Sequence, residues 1–218
     1  MNCIVTAGPT FEPLDDVRRL TNFSTGRLGA ELADYLTKRG HKVTLLIGEQ
    51  ATYQGARNAH LVRSFSATAD LRDQLKQFAK KKVDAIFHAA AVSDFAFGQL
   101  FTRDASGKLT SLKRSKKLST RSGSLFAELT PTPKIIASLR AWFPQTIIIG
   151  WKFEANGKRT NALASAHRQL AECQTDACVA NGPAYGKGFA LVTPKDKEHL
   201  ATRFKLYQEL EALVTARI

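Results

Sequence analysis

The feature that most constrains this chain is an alternation. Short runs that are apolar throughout are each followed by a stretch of helical periodicity. Cys3–Ala7 (CIVTA), Lys42–Ile47 (KVTLLI), His60–Ser66 (HLVRSFS), Val83–Val92 (VDAIFHAAAV), Thr146–Gly150 (TIIIG), Asp176–Ala180 (DACVA) and Phe189–Thr193 read as strands. Between them, Gly26–Arg39 repeats Leu28, Leu32 and Leu36 every four residues, with Ser24 or Thr25 available as cap and Gly40 as stop. Thr68–Lys82, Lys158–Cys173 and Lys195–Ile218 carry the same signal. A strand with no polar side has both faces buried, which predicts an α/β fold: a parallel sheet covered by helices on both faces.

The chain has 218 residues, enough for a sizeable core without disulfides or a structural metal. Three cysteines (Cys3, Cys173, Cys178) do not make a disulfide framework. No run approaches the roughly 18 apolar residues of a membrane span. The first strand begins at Cys3, too early for a secretory leader, so a cytoplasmic protein is expected. The net charge of +13 favours anionic partners without choosing among them. Seven Lys/Arg and one acid fall between Arg103 and Arg121, in a polar stretch with weak strands at Leu109–Leu112 and Leu125–Leu129. This reads as a basic β-flap, about 101–130, inserted in a single 1–218 domain.

Ligands of open α/β sheets sit beyond the carboxyl ends of the strands, where strand order reverses. Three loops fall there. The first runs from Thr6 to Gly29, with Gly8, Gly26 and Gly29 letting backbone amides approach phosphate at a helix N-terminus, or serving only as turn glycines. The second, Phe87–Asp94, offers three alanines, room for a base or ribose or for a close-packed helix, and Asp94 to take a hydroxyl or amine. The third, Ile149–Glu154, places Trp151 where it could stack on a base or fill the core. The common signatures are missing: no G-x-G-x-x-G, no P-loop, no Tyr followed four residues later by Lys, and no metal-ligand spacing.

Taken together, TAGPTFEPLDDVRRLTNFSTGRLG (Thr6–Gly29), HAAAVSDF (His88–Phe95), KKLSTRSG (Lys116–Gly123), ELTPTPKII (Glu128–Ile136), IIGWKFE (Ile148–Glu154) and VAN (Val179–Asn181) resemble the phosphopantothenate–cysteine ligase family over nearly the whole chain. The resemblance implies a Rossmann-like core, a homodimer, and an amide-forming reaction of coenzyme A biosynthesis. In it, a nucleoside triphosphate (ATP or CTP, with Mg2+) activates the carboxylate of 4'-phosphopantothenate as an acyl-nucleotide, which cysteine then attacks. It implies catalytic roles for Asn22, which holds the acyl intermediate, and for Lys117, which neutralises phosphate charge, with Lys116 as the alternative. Gly8, Ser24, Gly26, Ala89, Ala90, Ala91, Asp94, Lys117 and Trp151 fall at nucleotide positions; Arg18, Asn22 and Ala91 fall at substrate positions. No metal ligand is implied in the protein. Lys113 and Arg114 read as solvated flap charges. The fused flavin-dependent decarboxylase of many bacterial relatives is not expected here, so a separate decarboxylase would act on the product.

One departure stands out. Many bacterial members carry two lysines in a KLxxK pattern before the VAN strand, where this chain has Gln169-Leu170-Ala171-Glu172-Cys173. His167, Arg168 and Lys152 are the nearby cations that could compensate. The alternative is therefore a nucleotide-binding or oxidoreductase-like homologue without ligase activity. A nucleic-acid binder would show aromatic–basic interleaving, which is absent, so neither nucleic acid nor membrane is an expected partner.

Overall fold

The computed structural model of the protein describes residues 1–104, 106–112, 117–118 and 124–217. In chain order the elements are β1 (Asn2–Ala7), β2 (Phe11–Pro13), β3 (Arg19–Thr21), α1 (Arg27–Lys38), β4 (Lys42–Gly48), β5 (Leu61–Phe65), α2 (Thr68–Phe78), β6 (Ala85–His88) and β7 (Phe95–Arg103). They continue with β8 (Leu109–Leu112), β9 (Ser124–Pro131), α3 (Ile135–Trp142), β10 (Ile147–Phe153), α4 (Arg159–Cys173), β11 (Ala177–Asn181), β12 (Phe189–Val192), β13 (Lys197–Leu200) and α5 (Arg203–Thr215).

Eight strands form the central sheet in the order β13-β12-β11-β10-β6-β1-β4-β5. Pairings from β5 across to β11 are all parallel, as the apolar strands predict. The far edge departs from the expectation. Lys197–Leu200 was expected in the last helix but pairs antiparallel with Phe189–Val192, because Thr193 N–H donates to Asp196 O (2.8 Å) and folds the chain back. The helix starts only at α5, where the Thr202 hydroxyl accepts from Lys205 N–H. β12 therefore pairs antiparallel on both sides, and the sheet is mixed rather than wholly parallel.

The pleat sorts the core. Val5, Ala7, Phe87, Ile149 and Val179 point to one face and pack with Leu32 and Leu36 of α1 and Leu206 and Leu210 of α5. Ile4, Ile86 and Ile148 point to the other, against Leu71 and Leu75 of α2 and Ile135 and Leu139 of α3. Cys178, Ala180 and Val192 meet Ala162, Ala166 and Leu170 of α4. α3 was not legible in the sequence: it is short and follows Pro131-Thr132-Pro133, which reads as turn.

The flap is a separate three-stranded antiparallel sheet, β8-β7-β9. It begins at Phe95 rather than about residue 101, since Phe95–Phe97 already pairs with Leu129–Pro131. Thr132 closes its neck, donating its N–H to Asp94 O at 2.9 Å. Lys113, Arg114 and Lys116 lie outside the described residues.

Candidate functional site

Strand order reverses between β1 and β6, whose carboxyl ends carry the first two predicted loops. These loops are sewn together. Ala91 N–H donates to Gly8 O (2.9 Å) and Thr10 N–H to Ala91 O (3.2 Å). The Thr10 hydroxyl accepts from Ser93 N–H at 2.8 Å. Asn22 lies exposed above them, its Nδ2 donating to Ala91 O and Val92 O, each at 3.2 Å. With its amide protons committed, Oδ1 is the group Asn22 can offer to an incoming donor.

The glycines are close-packed rather than merely permissive. Gly8 and Gly26 both have φ +78°, and a Cβ on either would fall within 3 Å of the Ala51 methyl. Gly29 lies so close to β1 that a Cβ would meet Ala7 Cβ at 2.6 Å. Gly26 is the N-cap of α1, and Thr25, one of the two expected caps, accepts from the first helical amide, Arg27 N–H, through its Oγ1 at 3.3 Å. The next two amides of α1, those of Leu28 and Gly29, are the ones open to an anion. Its other end matches the sequence: Gly40 (φ +84°) closes a Schellman turn with Gly40 N–H to Thr37 O and His41 N–H to Leu36 O.

Arg18, expected near the substrate, is engaged with Asp15 and the flap. Its guanidinium binds Asp15 Oδ2 and donates to Leu118 O (2.9 Å). Asp15 Oδ2 also accepts from Leu118 N–H at 3.0 Å. Arg18 and the backbone N–H groups hold the Asp15 carboxyl well below the usual range. The pair thus clasps the flap backbone at Leu118, directly beside Lys117.

On the α3/α4 side of the sheet lies a cavity of about 370 Å³. His88, Gln169, Val92, Ile135 and Ile136 line it, with Asp94, Lys134, Lys152 and Arg168 also contributing. His88 is buried, and desolvation pushes its pKa down to about 4, so it is neutral. Thr6 Oγ1 accepts from Ala90 N–H (3.1 Å) and shares a hydrogen bond with His88 Nδ1 (3.0 Å).

Gly150 is the register partner of His88 on the neighbouring strand. A Cβ there would lie 2.0 Å from Gln169 Oε1, so the glycine makes the seat for the glutamine. Gln169 Nε2 donates to Trp151 O (3.3 Å), while its Oε1 is buried without a hydrogen-bond partner. Trp151 borders the cavity, but its ring follows Ile147 and Ile149 onto the α1/α5 face.

The structure thus gathers Gly8, Asn22, Ala89, Ala90, Ala91 and Asp94 around the β1/β6 junction. Gly26 and Ser24 stand at the start of α1, and Trp151 lies on the α1 side of the sheet. Sequence reasoning missed His88, Thr6, Thr10 and Lys134. A threonine and a histidine at the ends of two predicted parallel strands were the available signal for the first two.

The model of the DNA/pantothenate metabolism flavoprotein C-terminal domain matches residues 1–213, and the chain belongs to that family. It is 29% identical to the coenzyme A biosynthesis bifunctional protein CoaBC of Thermococcus kodakarensis over 225 residues, covering 97% of this chain and 51% of the relative. It is also 29% identical to a cysteine/cysteine sulfinic acid decarboxylase from an unknown prokaryotic organism, covering 93% and 53%. The chain thus spans about half the length of these relatives. The DNA/pantothenate metabolism flavoprotein of Streptococcus pneumoniae superposes over 100% of both chains with a TM-score of 0.87 at 24% identity. A Cab2 H337A mutant in complex with phosphopantothenate-cysteine superposes over 99% of this chain and 85% of that one, with a TM-score of 0.73 at 20% identity.

Proposed function

We propose that this protein is a phosphopantothenate–cysteine ligase. The observation that carries the reading is Asn22. It is pinned by two carbonyls at the strand-order reversal, with one carbonyl oxygen left to receive a cysteine amine. Family membership supplies the reaction class, and the names of the CoaBC relative and the Cab2 complex agree with it.

In the first step a carboxylate oxygen of 4'-phosphopantothenate attacks the α-phosphate of ATP or CTP, and pyrophosphate leaves. In the second, the cysteine amine attacks the acyl carbon, the nucleoside monophosphate departs, and the amine loses a proton. Both partners of the first step are anions, so positioned cations and amides carry most of the catalysis. Lys117 on the clasped flap and the open amides of α1 suit that need. Mg2+ enters with the triphosphate as part of the co-substrate. Asp94, exposed at the end of the β6 loop, would take a ribose hydroxyl.

The exposed apolar side chains of the flap, Phe95, Leu109, Phe126 and Leu129, support a homodimer. The buried free cysteines suit a reducing, cytoplasmic setting. Among the described residues no helix is long and apolar enough to cross a membrane. The product carries the cysteine carboxylate, which a separate flavin-dependent decarboxylase would remove.

The test is pyrophosphate release from phosphopantothenate, Mg2+ and ATP or CTP, followed by cysteine-dependent amide formation. Lys117→Gln should abolish acyl-nucleotide formation, and Asn22→Asp should let the intermediate accumulate. Release with neither nucleotide refutes the ligase and favours a binding homologue, for which Gln169 and Cys173 at the usual lysine positions would be the reason.

A further inference from the structure

Asn22 is short and exposed, so its place is set by the backbone that carries it and by the loop it binds. It follows directly on β3, which pairs with β2, Phe11 opposite Thr21 and Glu12 opposite Leu20. These two strands make a sheet of their own, apart from the central one. A two-stranded hairpin is marginal alone, so something else must hold it to the body of the protein.

The start of α2 does so. That helix has an alanine, Ala67, at its N-cap and no side-chain cap there. Its first amide, Thr68 N–H, donates instead to Glu12 Oε1 at 3.0 Å, from 56 residues away in sequence. Glu12 is buried, and among the described residues no cation pairs with it, so the positive end of α2 is what offsets its charge. Beside it, Phe11 N–H donates to Ser66 O at 3.0 Å. Thr68 reaches the other half of the setting as well. Its hydroxyl shares a hydrogen bond with the Thr10 hydroxyl (3.2 Å), which accepts from Ser93 N–H. Ser93 follows Ala91 and Val92, whose carbonyls take the amide protons of Asn22. The strand that carries Asn22 and the loop that receives it thus converge on one residue.

We propose that Glu12 and Thr68 are a positioning pair for the amide-forming step, fixing where Asn22 Oδ1 stands by tying its hairpin to α2. The inference rests on the ligase reading for the reaction. Both residues are buried, so they act through Asn22 rather than on substrate. The loop between β2 and β3 is closed by its own bond, Leu14 N–H to Arg18 O at 2.8 Å. Loosening the hairpin therefore weighs on Asn22 more than on the clasp that Asp15 and Arg18 make at Leu118.

The experiment follows the two half-reactions separately in the full chain: pyrophosphate release from phosphopantothenate, Mg2+ and ATP or CTP, then amide formation on adding cysteine. Glu12→Ala removes the acceptor of the tether. Thr68→Pro removes its donor at the first position of a helix, where proline is tolerated, so a variant that fails to fold leaves the other to be measured. In each, the cysteine-dependent step should fall about tenfold to a hundredfold and pyrophosphate release much less, so that acyl-nucleotide accumulates as expected of Asn22→Asp. Glu12→Gln, which keeps the acceptor oxygen, should recover most of the lost rate. Glu12→Ala added to Asn22→Asp should slow that step little further. Equal loss in both half-reactions, wild-type rates in the two variants, no recovery in Glu12→Gln, or full additivity with Asn22→Asp overturns the inference. A wild type that makes no acyl-nucleotide refutes the ligase reading instead. Hydrogen exchange at the Phe11 amide then decides: faster exchange in Glu12→Ala or Thr68→Pro upholds the tether of the Asn22 hairpin, and unchanged exchange overturns it.

Discussion

His88 makes a prediction whose size follows from its surroundings. Its folded pKa is pushed from 6.5 down to about 4 by burial. Between those values the unfolded chain binds a proton that the folded chain refuses, so stability is complete above about pH 7 and falls as the pH drops toward 4. At pH 5 the unfolded imidazole is almost fully charged and the folded one almost wholly neutral. The difference in proton binding there is worth about 2 kcal/mol, rising to about 3 at pH 4.

Other groups titrate in the same range, so the measurement is a difference. His88→Asn keeps a polar partner for Thr6 Oγ1 and removes the titration. Denaturant unfolding of the wild type and the variant at pH 7 and pH 5 should show the wild type losing about 2 kcal/mol more than the variant over that interval. The variant is expected to be the less stable protein at pH 7, because it leaves space beside a cavity. Equal pH slopes for the two proteins would show that His88 is charged or well solvated in the folded state.

Three further outcomes can be checked. Asp15→Asn removes the charge that holds Arg18 and leaves Leu118 N–H with a weaker acceptor; amide exchange at Leu118 should accelerate and kcat should fall with little change in Tm, whereas unchanged exchange would show that the clasp does not hold the flap. Gly29→Ala gains about 1 kcal/mol of helix propensity but drives a methyl to 2.6 Å from Ala7 Cβ, an overpacking cost of about 1–3 kcal/mol; thermal melting should show a lower Tm, and a higher one would refute the close approach of α1 to β1. Arg140→Lys should cost about 1–2 kcal/mol in chemical denaturation, because one guanidinium donates to Phe143 O, Pro144 O and Thr146 O while pairing with Asp176, a fork that an ammonium cannot reproduce; an unchanged midpoint would show the fork is unimportant.

The parallel strands and their helices were legible because burial on both faces leaves a mark in composition. Val5, Phe87 and Ile149 had to be apolar whichever way they pointed, so the runs containing them identify themselves. Lys197–Leu200 escaped because its only qualification as a strand is a partner. Its sequence, Lys-Glu-His-Leu, is polar at three of four positions, and a turn at Thr193–Asp196 makes it the edge of the sheet. The flap was visible as charge, yet its first strand, Phe95–Arg103, is uncharged until its last residue and so lies ahead of that signal.

The site was legible in a different measure. Glycines and an asparagine in one loop name their own candidates, but which face of the sheet a residue serves depends on pleat. A shift of one position exchanges the two faces. Trp151 and Gly150 illustrate the consequence: the aromatic attracts attention in the sequence, and the pleat sends it to the α1/α5 core. The glycine before it, which carries no chemistry, faces the other way and seats the amide of Gln169. Gln169, by sequence only a neutral residue at a position expected to be cationic, is buried, donates to Trp151 O and packs its amide on the glycine, so that position serves the contact between α4 and β10 and does not present a surface charge.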